Sequence, residues 1–304
     1  MFKTRLLSGI ALIIVAFLLF FFGTPWLTAA LCVISVIAYR ELANILEISG
    51  KREDLPAAKK EAEELAKGGD PAKKLNLGGK PGATEVVGYV AIVAMYALLL
   101  AFHMMNVAQG EQAFALLAVV SFFVLAELFA YVLTFPKFHA EQVSGAVFAF
   151  LYAPLMLSFI DMTRALEDGK FLVWLILICS WGCDTCAYCV GMLIGKKKIF
   201  PVLSPKKSLE GCFGGVIGAA LLGGLFAKFA MGRELKDVVI LSVICALGAV
   251  ASMVGDLAAS AIKRNKGIKD YGKLIPGHGG IMDRFDSVIV TAPMVYFLSA
   301  LLLK

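Results

Sequence analysis

The sequence predicts an all-α, polytopic integral membrane protein, built as a bundle of about nine transmembrane helices. Hydrophobic residues make up 60% of the chain and charged residues only 17%, and the mean hydropathy is +0.82. A soluble domain of this size would carry about 25% charged residues. Apolar runs recur at close to the roughly 20 residues that a helix needs to cross a bilayer. These runs lie at 6–22, 26–46, 86–104, 113–134, 143–160, 171–195, 213–231, 238–262 and 288–303.

Two stretches of the N-terminal half differ from a plain transmembrane span. The first apolar run follows Lys3 and Arg5, as a secretory signal would, but it lacks a clear small-residue cleavage site and further spans follow it. We therefore predict that it is a helix of the mature protein. The polar segment 51–85 is rich in Gly, Pro and Lys. We predict a loop with a helical turn or two there, in preference to a partner-binding site.

The positive charges are distributed unevenly between the two ends of the predicted spans. With a cytoplasmic N-terminus, 23 of the 29 Lys and Arg residues fall on the cytoplasmic side. Cytoplasmic loops of membrane proteins are enriched in these residues. The net charge of +6 therefore reflects topology and anionic lipid, and the sequence has no basic stripe interleaved with aromatics that would indicate nucleic-acid binding.

The chain has seven cysteines, six of them in the apolar runs and Cys212 directly before one, and the odd number argues against a disulfide framework. Cys183, Cys186 and Cys189 form a C-x-x-C-x-x-C pattern that could indicate a metal or an iron–sulfur cluster. The same spacing is helical, and buried Cys packs as a small hydrophobe. Because the flanking sequence offers no matching fourth ligand, we favour a packing role.

Two aspartates interrupt apolar runs, which is energetically costly and typical of functional sites in membrane proteins. Asp184 lies in the sixth run. The alternative explanation is that its carboxylate has a structural role and is hydrogen-bonded to a neighbouring helix. Asp256 lies near the end of the eighth run, with Ser252 and Ser260 four residues to either side and therefore on the same helical face. Both carboxylates are candidate functional groups.

The loop between the sixth and seventh runs combines cations with hydroxyl groups. Its segment SPKKSLEG contains Ser204, Lys206, Lys207, Ser208 and Glu210. The lysine pair could bind a polyphosphate as point charges. A positive flank that only orients the membrane spans is the alternative, but the density of Pro, Ser, Glu and Gly beside the lysines favours a site.

The segment 260–286, which reads SAIKRNKGIKDYGKLIPGHGGIMDRFD, carries the strongest functional pattern. Five cations, a Pro-Gly-His-Gly-Gly turn and two carboxylates occur just before the last apolar run. Cations bind phosphate, paired carboxylates bind a hard divalent metal, and glycines let backbone N–H groups approach a ligand. The pattern predicts phosphate chemistry at a bilayer surface. Its candidate residues are Lys263, Arg264, Lys269, His278, Asp283, Arg284 and Asp286.

Over its 27 residues, the same segment resembles the signature of the phosphatidate cytidylyltransferases, or CDP-diacylglycerol synthases. Two further blocks are similar to that family, DTCAY from Asp184 and SPKKSLEG from Ser204, where the family often has Thr in place of Ser208. The resemblance covers about residues 181–287. The N-terminal half matches only as hydrophobic spans, and the segment 51–85 is not expected of the family.

The resemblance implies an enzyme of phospholipid synthesis in the cell inner membrane that converts CTP and phosphatidic acid into CDP-diacylglycerol and pyrophosphate with Mg²⁺. The resemblance leaves open whether a second cation binds and whether the protein forms a homodimer. The implied metal ligands are Asp256 and Asp283, with Asp286 and Asp184 as ligands or close neighbours. Phosphates would be held by Lys206, Lys207, Lys263, Arg264, Lys269 and Arg284. Hydrogen bonds would come from Ser204, Ser208, Ser260 and His278, with Glu210 beside them.

In this interpretation the chain has two parts. Residues 1–135 hold the N-terminal spans with a polar cytoplasmic excursion at about 50–85, and 136–304 form the catalytic region that carries the segment 260–286. Two other functions stay open from the residues alone. One is a CTP-dependent lipid alcohol kinase, which would release CDP instead of pyrophosphate. The other is a transporter that uses its buried aspartates.

Overall fold

The architecture comes from a computed structural model that describes residues 13–48, 82–135, 137–201, 203–275 and 279–303. Nine helices run through these residues, and the prediction of an all-α protein is confirmed. They are α1 Ile13–Phe22, α2 Trp26–Ile45, α3 Ala83–Met105, α4 Gln109–Thr134, α5 Ala140–Arg164, α6 Gly169–Ile194, α7 Leu209–Phe229, α8 Leu235–Asn265 and α9 Met282–Leu302. Most of segment 51–85 and His278 lie outside the described residues.

Eight of these helices, α2 to α9, are long and apolar enough to cross a membrane, which makes the chain a multi-pass membrane protein. They coincide with the second to ninth predicted runs. The first run is described only from Ile13, as the short helix α1, so the count of nine spans stays a prediction.

Several helices extend beyond the apolar runs that predicted them. Helix α8 has 31 residues and carries Lys236 and Asp237 in its first turn and Lys263 and Arg264 in its last. Charged side chains at the ends of a long helix reach polar surroundings while the backbone hydrogen bonds continue. Hydropathy therefore locates the membrane-embedded part of such a helix and misses its ends.

The chain divides into two compact units, an N-terminal unit of Leu31–Leu155 and a C-terminal unit of Met1–Ala30 with Met156–Lys304. In the N-terminal unit, the Phe123 and Phe150 rings stack with centroids 4.2 Å apart, and the Ser35 and Tyr96 hydroxyls are hydrogen-bonded at 2.8 Å. The C-terminal unit contains Asp184, Asp256, the loop segment 204–211 and the segment 260–286.

Helices α6, α7 and α8 of the C-terminal unit pack closely because glycines on one helix face cysteines on another. A Cβ at Gly215 would lie 2.9 Å from the Cys183 sulfur, and one at Gly248 would lie 2.7 Å from the Cys179 sulfur. Small residues allow helix backbones to approach in a membrane. The seven cysteines, all within the described residues, are free thiols, and Cys183 is fully buried against Ala219 and Ala249.

Candidate active site

Four helix ends and two loops of the C-terminal unit meet at one end of its bundle. Helices α6 and α8 end there at Ile194 and Asn265, and α7 and α9 begin there at Leu209 and Met282. The connections 195–208 and 266–281 are the two loops, and they carry three of the six predicted phosphate-binding cations, Lys206, Lys207 and Lys269. The alternation of helix direction along the chain therefore brings both loops to the same end.

An acidic cleft of about 470 Å³ lies among α6, α8 and α9 at this end. Its wall carries five carboxyl groups, those of Asp184, Asp256, Asp270, Asp283 and Asp286. Two cationic side chains, Lys263 and Arg284, line it as well. So many carboxylates around one space repel one another unless cations or protons neutralise them. The cleft is therefore suited to a ligand that arrives with a cation.

Helices α8 and α9 are in close contact at the cleft because Gly255 has no side chain. A Cβ at this position would lie 2.6 Å from the backbone oxygen of Asp286. The neighbouring residue on α8 is Asp256, so this contact places two of the carboxylates in one wall. Any larger residue at position 255 would push the two helices apart and increase the distance between the carboxylates of Asp256 and Asp286.

Asp283 is buried and organises the loop before α9. Its Oδ1 accepts a hydrogen bond from Lys263 Nζ at 2.8 Å, and its Oδ2 accepts bonds from the backbone N–H groups of Tyr271 at 2.7 Å and Gly280 at 3.0 Å. Tyr271 is fully buried, and its hydroxyl donates to the backbone oxygen of Ala259 at 2.9 Å. The carboxylate of Asp283 on α9 thus connects the loop to Lys263 on α8. The bond with Lys263 is charge-assisted and therefore stronger than a bond between neutral groups.

The other loop, 195–208, is held at the start of α7 by two residues that the sequence assigned to ligand binding. Ser208 caps α7 by accepting a hydrogen bond from Gly211 N at 3.2 Å. Glu210 accepts hydrogen bonds from the backbone N–H groups of Lys196 and Lys197 at 3.0 and 3.3 Å. Ser208 thus satisfies a backbone group at the N-terminus of α7, and Glu210 fixes the backbone of the loop at Lys196 and Lys197.

A second, largely apolar cavity of about 360 Å³ lies between α6 and α7, beneath the loop 195–208. Lys198, Lys206 and Lys207 line it together with Tyr188, Met192 and Met253. Asp184 lines both this apolar cavity and the acidic cleft. An ion pair of 2.5 Å between Lys207 Nζ and Asp256 Oδ2 joins the loop to α8. The two cavities are therefore neighbours with a common wall.

The predicted site residues fall into three groups. The acidic cleft brings together Asp184, Asp256, Asp283, Asp286, Lys263 and Arg284. The apolar cavity is lined by Lys206, Lys207 and Ser208. Neither cavity is lined by Ser204, Glu210, Ser260, Arg264 or Lys269, and His278 lies outside the described residues. The assignment of roles to all these residues stays a prediction.

Sequence reasoning did not select several residues that line these cavities. Trp181 and Asp270 line the acidic cleft, and Tyr188, Met192 and Lys198 line the apolar cavity. The position of Trp181, three residues before Asp184 on one helix, was a usable signal, since such positions share a helical face. A π-helical turn over Ile178–Gly182 alters the helix just before Asp184, and π-turns frequently accompany functional sites.

Comparison with known proteins assigns the chain to a family. Residues 79–302 match the family model described as "Cytidylyltransferase family", and the chain belongs to this family. It is similar to proteins named phosphatidate cytidylyltransferase in three bacteria. The Bacillus subtilis (strain 168) protein is 35% identical over 181 residues, 59% of this chain and 66% of the relative.

The other two relatives share shorter stretches. The Mycobacterium bovis protein is 36% identical over 167 residues, 55% of this chain and 54% of the relative. The Haemophilus influenzae protein is 41% identical over 130 residues, 41% of this chain and 44% of the relative. The chain thus spans between 44% and 66% of the length of these three relatives.

Proposed function

We propose that this protein is a phosphatidate cytidylyltransferase, which converts CTP and phosphatidic acid into CDP-diacylglycerol and pyrophosphate. One observation carries the proposal. An acidic cleft and a lysine-lined apolar cavity share the Asp184 wall at one end of a membrane helix bundle, in a chain of the cytidylyltransferase family. A nucleotide with its cation and an anionic lipid would each find complementary chemistry at neighbouring positions.

The reaction needs no nucleophile from the protein. A phosphate oxygen of phosphatidate attacks the α-phosphorus of CTP and forms the new P–O bond. The bond from that phosphorus to the oxygen bridging to the β-phosphate breaks, and pyrophosphate leaves with the electron pair. The main barrier is electrostatic, because an anion approaches a polyanion, so positioning and charge neutralisation dominate catalysis.

The residues of the acidic cleft fit Mg²⁺, which prefers oxygen ligands and usually binds one or two carboxylates together with substrate phosphates. Asp184, Asp256 and Asp286 come from three different helices and supply such oxygens. Among the described residues, no three His, Cys, Asp or Glu side chains are placed to enclose a metal by themselves. We propose that these three aspartates hold Mg²⁺ jointly with the nucleotide. When bound, Mg²⁺ would neutralise phosphate charge.

The two oxygens of Asp283 already accept bonds from Lys263 and two backbone N–H groups. We propose that Asp283 positions the loop and Lys263, while its predicted role as a metal ligand stays open. Lys263 and Arg284 would bind phosphates within the cleft. The surrounding apolar helices would exclude water and strengthen these interactions.

The direct test uses the purified full chain in detergent with phosphatidate, labelled CTP and Mg²⁺. We expect a CDP-lipid and one pyrophosphate for each CTP consumed. Release of CDP with a phosphorylated lipid alcohol would instead identify a CTP-dependent kinase. Substrate flux in liposomes without CTP turnover would identify a transporter. Either result would overturn the proposal.

We further propose that the N-terminus and the loops 195–208 and 266–281 face the cytoplasm, since 23 of the 29 Lys and Arg residues lie on that side of the predicted topology. Single cysteines placed at positions 51–80 and 265–275 in a cysteine-free background should react with a membrane-impermeant maleimide only after the cytoplasmic side is exposed. A cysteine at position 304 should react from the other side. Labelling of 265–275 from outside would contradict this topology.

The cysteines are expected to have no chemical role. Joint replacement of Cys183, Cys186 and Cys189 by Ala should keep most of the CDP-lipid formation, because Cys183 occupies a small apolar position opposite Gly215. Activity and the zinc and iron content of the purified protein are the measurements. Bound metal that is lost together with activity in the triple variant would show that these thiols form a metal site.

A further inference from the structure

The two neighbouring cavities differ in what they can bind. The walls of the apolar cavity are formed mainly by apolar side chains, among them Tyr188, Met192 and Met253, with the lysines of one loop along one side. The acidic cleft instead carries five carboxyl groups. The first combination suits an anionic head group that is attached to a hydrocarbon chain. The second suits a phosphate that arrives with a metal cation.

The apolar cavity also opens beside exposed side chains of a membrane-spanning helix. Tyr188 and Met192 are each 66% exposed, although they lie on the membrane-spanning helix α6. Large apolar side chains that are exposed on such a helix contact the acyl chains of the bilayer. A lipid could therefore place its chains beside these residues without leaving the membrane, while its phosphate contacts the loop.

The lysines of this cavity are available at its mouth. Lys206 is exposed, and Lys198 donates a hydrogen bond from Nζ to the backbone oxygen of Lys206 at 3.0 Å, which keeps the two residues together. Neither amino group is among the ion pairs with carboxylates that the described residues form. Lys207 differs, because it pairs with Asp256 of the acidic cleft.

We propose, on the basis of the proposed function, that the two substrates divide between the cavities. Phosphatidate binds in the apolar cavity, with its phosphate on Lys198 and Lys206 and its acyl chains along Tyr188 and Met192. The triphosphate of CTP binds in the acidic cleft, with Lys263 and Arg284. The attacking and the attacked phosphates meet at the common wall, where Asp184 and the Lys207–Asp256 pair lie.

The test compares Lys206→Gln with the matched control Lys196→Gln. Both changes remove one exposed cation from the same loop, but Lys196 lines neither cavity. Initial rates are measured in mixed micelles, where the mole fraction of dioleoyl phosphatidate and the CTP concentration vary independently. For Lys206→Gln we expect the KM for phosphatidate to rise about tenfold or more, as for a lost charge-assisted contact. Its KM for CTP should stay within about twofold of wild type.

A second variant tests the apolar wall. Met192→Asp places a charge beside the proposed acyl chains and should raise the KM for dioleoyl phosphatidate much more than that for dihexanoyl phosphatidate, with the KM for CTP unchanged. The binding of each phosphatidate in the absence of CTP, followed by native mass spectrometry, gives the same comparison without catalysis. The melting temperature in detergent verifies that each variant is folded.

The outcomes separate the division of substrates from the proposed function. If wild type forms no CDP-lipid, the proposed function fails. If wild type is active but Lys206→Gln raises the KM for CTP instead, or Met192→Asp affects both lipids equally, the division fails and the function stands. It fails likewise if Lys206→Gln behaves like Lys196→Gln.

Discussion

Replacing Asp256 with Asn is expected to reduce CDP-lipid formation by about 10²- to 10³-fold, or ~2.7–4 kcal/mol of transition-state stabilisation, as when one electrostatic group is removed from an active site. The substitution keeps the size of the side chain and removes one negative charge from the acidic cleft. It also removes the charge that pairs with Lys207 at 2.5 Å. Both the proposed binding of Mg²⁺ and the connection between the cavities would be weakened.

The matched control is Asp237→Asn on the same helix. Asp237 also pairs with a cation, Arg233, at 3.2 Å, but it lies in the first turn of α8, at the other end of that helix. Its replacement should leave the kinetics unchanged, since such partly exposed pairs contribute little. A second readout is the Mg²⁺ concentration for half-maximal activity, which should rise in Asp256→Asn. If that variant keeps activity within about tenfold of wild type, Asp256 is not part of the metal site.

Replacing Asp283 with Asn should release the loop before α9 and also reduce activity by more than about tenfold, or ~1.4 kcal/mol. One carboxylate oxygen becomes an NH₂ group, which cannot accept a hydrogen bond, so either the bond from Lys263 or the two bonds from Tyr271 N and Gly280 N are lost. Breaking a buried ion pair in this way costs roughly 3–5 kcal/mol. Exchange of the Tyr271 amide hydrogen should therefore become faster by about 10²-fold or more.

Asp286→Asn distinguishes positioning from metal binding. Asp286 lines the same cleft, but its oxygen accepts a hydrogen bond from the neighbouring Ser287 N–H and from none of the described residues of the loop. This variant should lose activity while the exchange of the Tyr271 amide stays at the wild-type rate. If Asp283→Asn lost activity with unchanged exchange at Tyr271, the positioning role would be wrong and the predicted ligand role would gain support.

Much of the protein was predictable from its sequence because hydropathy and local spacing act over short distances. Each apolar run from the second to the ninth corresponds to a helix that is long and apolar enough to cross a membrane. Asp184 and Asp256 were selected because a carboxylate inside an apolar run is costly enough to need a reason. The pattern from Lys263 to Asp286 indicated phosphate chemistry through residue types alone, and the membership in the cytidylyltransferase family agrees with it.

The contacts between distant residues were not predictable in this way. Ser208 and Glu210 were predicted to bind ligand, and that role stays a prediction. The structure adds that Ser208 accepts a hydrogen bond from Gly211 N at the start of α7 and that Glu210 accepts one from Lys196 N of the loop. The predicted role of Asp283 as a metal ligand likewise stays a prediction. What the sequence did not indicate is its hydrogen bond from the backbone N–H of Tyr271, which is fully buried. Hydrogen-bond partners depend on where a loop returns in space, and a pattern of residue types does not contain that information.

The sequence by itself therefore determined the membrane class and the helices and indicated the proposed kind of chemistry, since these depend on composition and on residue patterns within one segment. Only the tertiary structure decided how the charged groups are distributed between two cavities. Lys206 and Lys263 are equivalent cations in the sequence, yet one lines an apolar cavity and the other an acidic cleft. The packing of α6, α7, α8 and α9 sets this difference, because the surroundings of a charge determine which ligand it can bind.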